Sequence, residues 1–162
     1  MKVLGIDPGT AACGYGIVHE SGGRIRPLAH GWWQTPVGQR PELRLRTIFE
    51  GVTGLIREHA PDAVALEESF VGADARIALS VGQARGAVLV ASALADVECT
   101  EYAPSRVKQT VAGYGRAEKQ QVQRMVKAIL GLDAPPTPNH AADALAVAIC
   151  HVLAPPLLRI AG

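Results

Sequence analysis

The stretch Gly5-Ile6-Asp7-Pro8-Gly9-Thr10-Ala11-Ala12-Cys13-Gly14-Tyr15-Gly16-Ile17-Val18 sets one carboxylate inside an apolar run and follows it at once with proline and glycine. A carboxylate at the end of a buried strand is costly to desolvate unless it is paired or holds a metal ion. Asp before Pro-Gly is also a turn signature. Both readings place Asp7 at a strand end, and residues elsewhere must choose between them.

Outward from this stretch, three strands are expected: Lys2 to Ile6, Cys13 to His19 and Ile25 to Trp33. Their separators, Pro8-Gly9-Thr10 and Ser21-Gly22-Gly23, are short and turn-forming, which predicts an antiparallel meander. From Glu42 to Ala60, Leu45, Ile48, Phe49, Val52, Leu55 and Ile56 recur at helical spacing, and Pro61 stops that helix. Ala63 to Leu66 reads as a central strand covered on both faces. An alanine-rich helix follows over about Asp74 to Ala95, with Gly82 and Gly86 four apart; close packing on the sheet and a dimer interface both account for them. Val97 to Tyr102 is a further strand. Helices over Ser105 to Ala112, Glu118 to Leu130 and Asn139 to Leu153 complete the chain. This order implies an α/β fold with a mixed five-stranded sheet flanked by helices.

The sequence has 162 residues, 48% hydrophobic and 19% charged, enough for one real core and not for two typical domains. A single domain is expected over residues 1–154, with a short tail over 155–162. The net charge of +1 argues neither for nor against a polyanionic partner, so a basic footprint must be local. An acid stands at position 7 and no run of about 18 apolar residues occurs, so neither a signal peptide nor a membrane span is expected, and the protein is placed in the cytoplasm. Cys13, Cys99 and Cys150 are read as small buried hydrophobes.

Four positions stand where apolar elements end. Asp7 closes the first strand and Glu67 the fourth; His140 and Asp143, three apart at the start of the last helix, share one helical face. Glu68, next to Glu67, points to the opposite face of an extended segment. Taken alone, Asp143 fits a helix N-terminal charge and His140 a surface histidine. Together the four supply the donor set of a divalent metal site, since one cation offsets the desolvation of several carboxylates.

With these residues in view, GIDPGTAACGYGIV, ALEESFV, SVGQARGAVLVA, APSRVKQTVAGYGRAEKQQVQRMV and HAADALAVAICH together resemble the RuvC family of Holliday-junction resolvases, over about Lys2 to His151. The resemblance implies a ribonuclease-H-like fold, a homodimer, and cleavage of four-way DNA junctions with Mg²⁺ or Mn²⁺, two ions per site, leaving 5′-phosphate and 3′-hydroxyl ends. It implies Asp7, Glu67, His140 and Asp143 as the catalytic and metal-binding residues, with Asp7 bridging. Position 140 is where the pattern varies: it is aspartate in part of the family and histidine in other members, and imidazole suits transition metals better than Mg²⁺. Two metals about 3.5–4 Å apart serve both ends of an in-line displacement at phosphorus.

For the DNA, Tyr102 to Leu130 carries six basic residues, Arg106, Lys108, Arg116, Lys119, Arg124 and Lys127, against the single acid Glu118. A solvated helical face explains such a run as well as a phosphate-binding one does; carboxylates nearby favour the second. The resemblance singles out Lys108 and Lys119 beside the scissile phosphate and Phe70 as an aromatic stacking at the junction centre. Arg76 and Arg116 are further DNA-contact candidates. Branch-migration proteins are partners by analogy only.

Three other readings compete. Sugar kinases and actin-like ATPases share a G-I-D-x-G-T hairpin, but they clasp ATP between two such lobes and this sequence makes one. A ribonuclease acting on RNA–DNA hybrids, or a related resolvase, stays within the nuclease class. A junction-binding scaffold without activity is suggested only by His140.

Overall fold

The computed structural model describes residues 1–9, 11–68 and 74–155. β1 (Lys2–Pro8), β2 (Ala12–Ser21) and β3 (Arg24–Gln34) form the meander; α1 (Pro41–His59), β4 (Ala63–Glu67), α2 (Ala75–Leu94) and β5 (Cys99–Tyr102) follow, then α3 (Pro104–Ala112), α4 (Lys119–Leu130) and α5 (Asn139–Leu153). The five strands lie in the order β3-β2-β1-β4-β5. β1 pairs antiparallel with β2 and β2 with β3, whereas β4 is parallel to both β1 and β5.

Period-two alternation divides β1 and β4 between two cores. Val3 of β1 and Ala65 of β4 enter the core built with α3, α4 and α5; Leu4, Ile6, Val64 and Leu66 enter the core built with α1 and α2. By the same alternation Asp7 and Glu67 fall on the α5 face, at the carboxyl ends of neighbouring parallel strands. A shift of one residue either way would have turned them to the α1 face.

α5 lies unusually close to that face, and glycines make the approach. A Cβ at Gly5 would stand 2.1 Å from the carbonyl oxygen of Ala144, and one at Gly14 would stand 2.1 Å from that of His140. Any side chain there would push the helix outward. Leu145, fully buried, fills the space over Gly16.

Most boundaries shift by a residue or two from the sequence reading, and two of the shifts have a visible cause. β1 runs past Asp7 to Pro8, because Asp7 pairs with Gly14 and Pro8 with Cys13 on β2. β5 starts at Cys99 rather than Val97, since Asp96 adopts φ 53° and the Val97 N–H closes on the Ser92 carbonyl as part of the α2 terminus. Cys13 and Cys150 are buried as expected, whereas Cys99 is half-buried.

Gly82 and Gly86 do not mediate packing of α2 within this chain: nothing lies within 4 Å of a Cβ built at either. The packed face of α2 is Ala84, Val88 and Ala91, which meets the core shared with α1. Its outer face shows Leu79, Val90 and Leu94 to solvent. α2 is 20 residues long with mean hydropathy 1.5, dimensions that would suit a membrane span. It also carries Arg85, whose guanidinium holds Glu101 through two hydrogen bonds and so ties the helix to β5.

Candidate active site

β1 and β4 deliver Asp7 and Glu67 side by side, one residue beyond the last paired position, Ile6 with Leu66. Their carboxyl groups hydrogen-bond to each other. Burial, the Asp7 charge, that hydrogen bond and Asp143 together push the Glu67 carboxyl up to about 8, with Lys119 pulling the other way. Glu67 therefore favours its protonated form in the metal-free site. Glu68, the next residue, is exposed, as extended geometry requires.

α5 brings the other two groups down onto this pair. His140 Nδ1 lies 3.3 Å from Oδ2 of Asp7, and this contact raises the imidazole pKa above its ordinary value. Asp143 is the fifth residue of α5, beyond the first turn, so capping of the helix dipole does not explain it. Burial lifts its carboxyl above the usual range, opposed by Lys119, whose Nζ sits 2.6 Å from Oδ2.

A cavity of about 190 Å³ opens between β4, α3, α4 and α5, lined by Glu67, Lys108, Lys119 and Asp143 with Val107 and Val122. Two positive ammonium groups thus face two of the carboxyls across a small space. The other sequence candidates stand apart. Arg116 is exposed in the loop between α3 and α4. Arg76 is exposed at the second position of α2, its backbone N–H bound to the Asp74 carboxylate that caps the helix. Phe70 lies outside the described residues.

The donor chemistry fits a hard or borderline divalent cation: carboxylate oxygens and one imidazole nitrogen, already strained by mutual repulsion. Among the described residues, no three His, Cys, Asp or Glu side chains stand together in a ready coordination shell. Burial instead favours the protonated form of Glu67, His140 Nδ1 faces Asp7, and Lys119 pairs with Asp143.

Sequence reading missed what locks this arrangement. Gly5, Gly14 and Gly16 set the height of α5 over the sheet; their signal was glycine in strand interiors, where it is otherwise unfavourable. The Gln123 amide donates to Asn139 Oδ1 at 2.9 Å and ties α4 to the first residue of α5. That contact has no local sequence signature.

The chain is similar to known proteins over nearly its whole length. The family described as crossover junction endodeoxyribonuclease RuvC matches residues 3–151. The protein of that name from Moorella thermoacetica is 51% identical over 151 residues, spanning 93% of this chain and 90% of its own. The one from Heliobacterium modesticaldum is 52% identical and covers 93% of each chain. Among solved structures, Thermus thermophilus RuvC in complex with Holliday junction substrate superposes with a TM-score of 0.90 at 41% identity, over 94% of this chain and 93% of that one. The yeast mitochondrial Holliday junction resolvase Ydc2 shares the fold alone, with a TM-score of 0.67 at 10% identity.

Proposed function

The chain belongs to the RuvC family of crossover junction endodeoxyribonucleases, and on that premise we propose how its residues divide the work. It is a Holliday-junction nuclease with a ribonuclease-H-like α/β fold, serving recombination and repair, and its family is one of metal-dependent enzymes. The observation that carries the site assignment is the convergence of Asp7, Glu67, His140 and Asp143, from three separate elements, at the carboxyl ends of β1 and β4.

Asp7, Glu67, His140 and Asp143 hold Mg²⁺ or Mn²⁺, two ions per site. When bound, such ions acidify water and stabilise charge on the phosphoryl oxygens. Asp7, central to the set through its contacts with both Glu67 and His140, would be the shared ligand. Glu67 would have to be deprotonated to serve as a ligand, and Asp143 would have to part from Lys119. Lys119, released, joins Lys108 in neutralising the phosphate whose approach the carboxylates would otherwise oppose. Arg76 and Arg116 hold more distant phosphates, and Phe70 stacks at the branch point.

A four-way junction has near two-fold symmetry, so opposed cuts need two copies related by a two-fold axis. The outer stripe of α2 supports such a homodimer: Leu79, Gly82, Gly86 and Val90 follow helical spacing, and the two open glycines admit a second helix at short range. Branch-migration proteins are the further partners, and the cytoplasm is the place of action.

The deciding experiment measures cleavage of a mobile four-way junction with Mg²⁺ and with Mn²⁺, beside linear duplex, RNA–DNA hybrid and ATP turnover. Junction-selective cleavage is expected, and Asp7→Asn binds the junction but does not cut it. Near wild-type cleavage by that variant in Mg²⁺ would discard the metal-site assignment.

A further inference from the structure

The register of three strands lines up Asp7, Gly14 and Trp32: Asp7 pairs with Gly14 on β2, and Gly14 pairs with Trp32 on β3. Directly opposed residues point to the same face of a sheet. That face is the one bearing α5, since a Cβ on Gly14 would meet the His140 carbonyl. Trp32 therefore flanks the site from the edge strand, its backbone two strand spacings, about 10 Å, from that of Asp7.

Its neighbour in sequence is accounted for differently. Trp33 turns to the α1 face and stacks on Tyr15 at 4.7 Å between ring centroids. Trp32 leaves 45% of its surface open, on a face it shares with His30, which pairs with Gly16, and Gln34, which pairs with Ala12. Lys108 and Lys119 stand on the opposite flank of the carboxylates. One flank is cationic and suited to a phosphodiester backbone; the other offers an aromatic ring. An open indole beside a nuclease site matches the π-face of an unstacked base, which any sequence presents near a branch point.

We propose that Trp32 is a substrate-positioning residue that stacks on a nucleotide flanking the scissile phosphate, on the side of the active site away from Lys108 and Lys119. The proposal rests on the junction-nuclease reading. A phosphate crossing Asp7 is then held on one side by charge and on the other by a ring, which fixes its position along the strand as well as its depth.

The test uses the full chain and four-way junctions carrying 5-iododeoxyuridine at single positions on either side of the cleaved phosphate. Irradiation without divalent metal is expected to crosslink one flanking position to Trp32, located by mass spectrometry. Trp32→Ala binds the junction about tenfold more weakly and Trp32→Phe recovers most of that loss. In cleavage the defect falls on KM more than on kcat. If no crosslink reaches Trp32 and Trp32→Ala binds within about twofold of wild type, in a preparation that cleaves junctions, the proposal is overturned and the nuclease reading stands. A wild-type protein that neither binds nor cuts the junction overturns both.

Discussion

Lys119 opens α4 and Asp143 lies 24 residues further on in α5, yet the Lys119 ammonium sits 2.6 Å from Asp143 Oδ2. The ion pair joins the basic segment of the chain to the acidic cluster, and on the proposed function it sets an exchangeable cation beside the substrate phosphate. An exposed lysine on a flexible stem exchanges partners readily, so the pair is better read as a poised contact than as a source of stability.

Lys119→Met is accordingly expected to leave the melting temperature almost unchanged while lowering junction cleavage about a hundredfold, the scale of losing one group that stabilises developing charge. Single-turnover cleavage beside thermal unfolding checks this. A large loss of melting temperature with intact cleavage would assign Lys119 to the fold instead.

The Glu67 proton predicts a pH dependence. Its folded pKa, about 8, lies above the ordinary 4.5, so the metal-free protein is most stable below about pH 4.5 as far as this group is concerned. That contribution is lost as pH rises through about 8. A cation must displace the proton, so Mn²⁺ affinity is expected to climb about tenfold per pH unit up to about 8 and then level off. Calorimetric titration in buffers of different ionisation enthalpy should register the released proton, and Glu67→Gln should reduce both the release and the slope, leaving only what His140 contributes. A wild-type affinity that is flat between about pH 6 and 8 would contradict a proton held on Glu67.

Gly14→Ala tests whether α5 is seated by backbone contact. The added methyl meets the His140 carbonyl and its Cβ, so the helix must move or the strand must bend. Overpacking of this kind costs about 1–3 kcal/mol, and because it displaces His140 the variant should lose cleavage out of proportion to its stability. Denaturant unfolding and junction cleavage, measured on the same preparation, separate the two effects.

The open stripe of α2 predicts a monomeric variant. Leu79, 65% exposed, becomes a buried charge at a helix–helix interface in Leu79→Glu. Sedimentation should show a dimer for wild type and a monomer for the variant, with nicking of one strand replacing paired cuts. A wild-type protein that sediments as a monomer on junction DNA would discard α2 as the interface.

Much of this protein is written locally. Short apolar runs bounded by turn or acidic residues gave β1 and β4, the recurrence of Ile48, Val52 and Ile56 gave α1, and strand or helix ends exposed Asp7, Glu67, His140 and Asp143, because each signal depends on neighbours within a few residues. What the fold alone decided are pairings over long separations: Asp7 with His140 lies 133 residues apart, and nothing in either segment encodes the other. β3 shows the limit most directly. Counted from Ile25, which packs toward α5, simple alternation sends Trp33 to the active-site face; the register shift between Ile17 and Val18 skips one residue of β3 and turns Trp32 there instead. A one-residue bulge reverses every later side chain on a strand, and its position is set by how β2 and β3 pair, a property of the assembled sheet rather than of either strand's sequence.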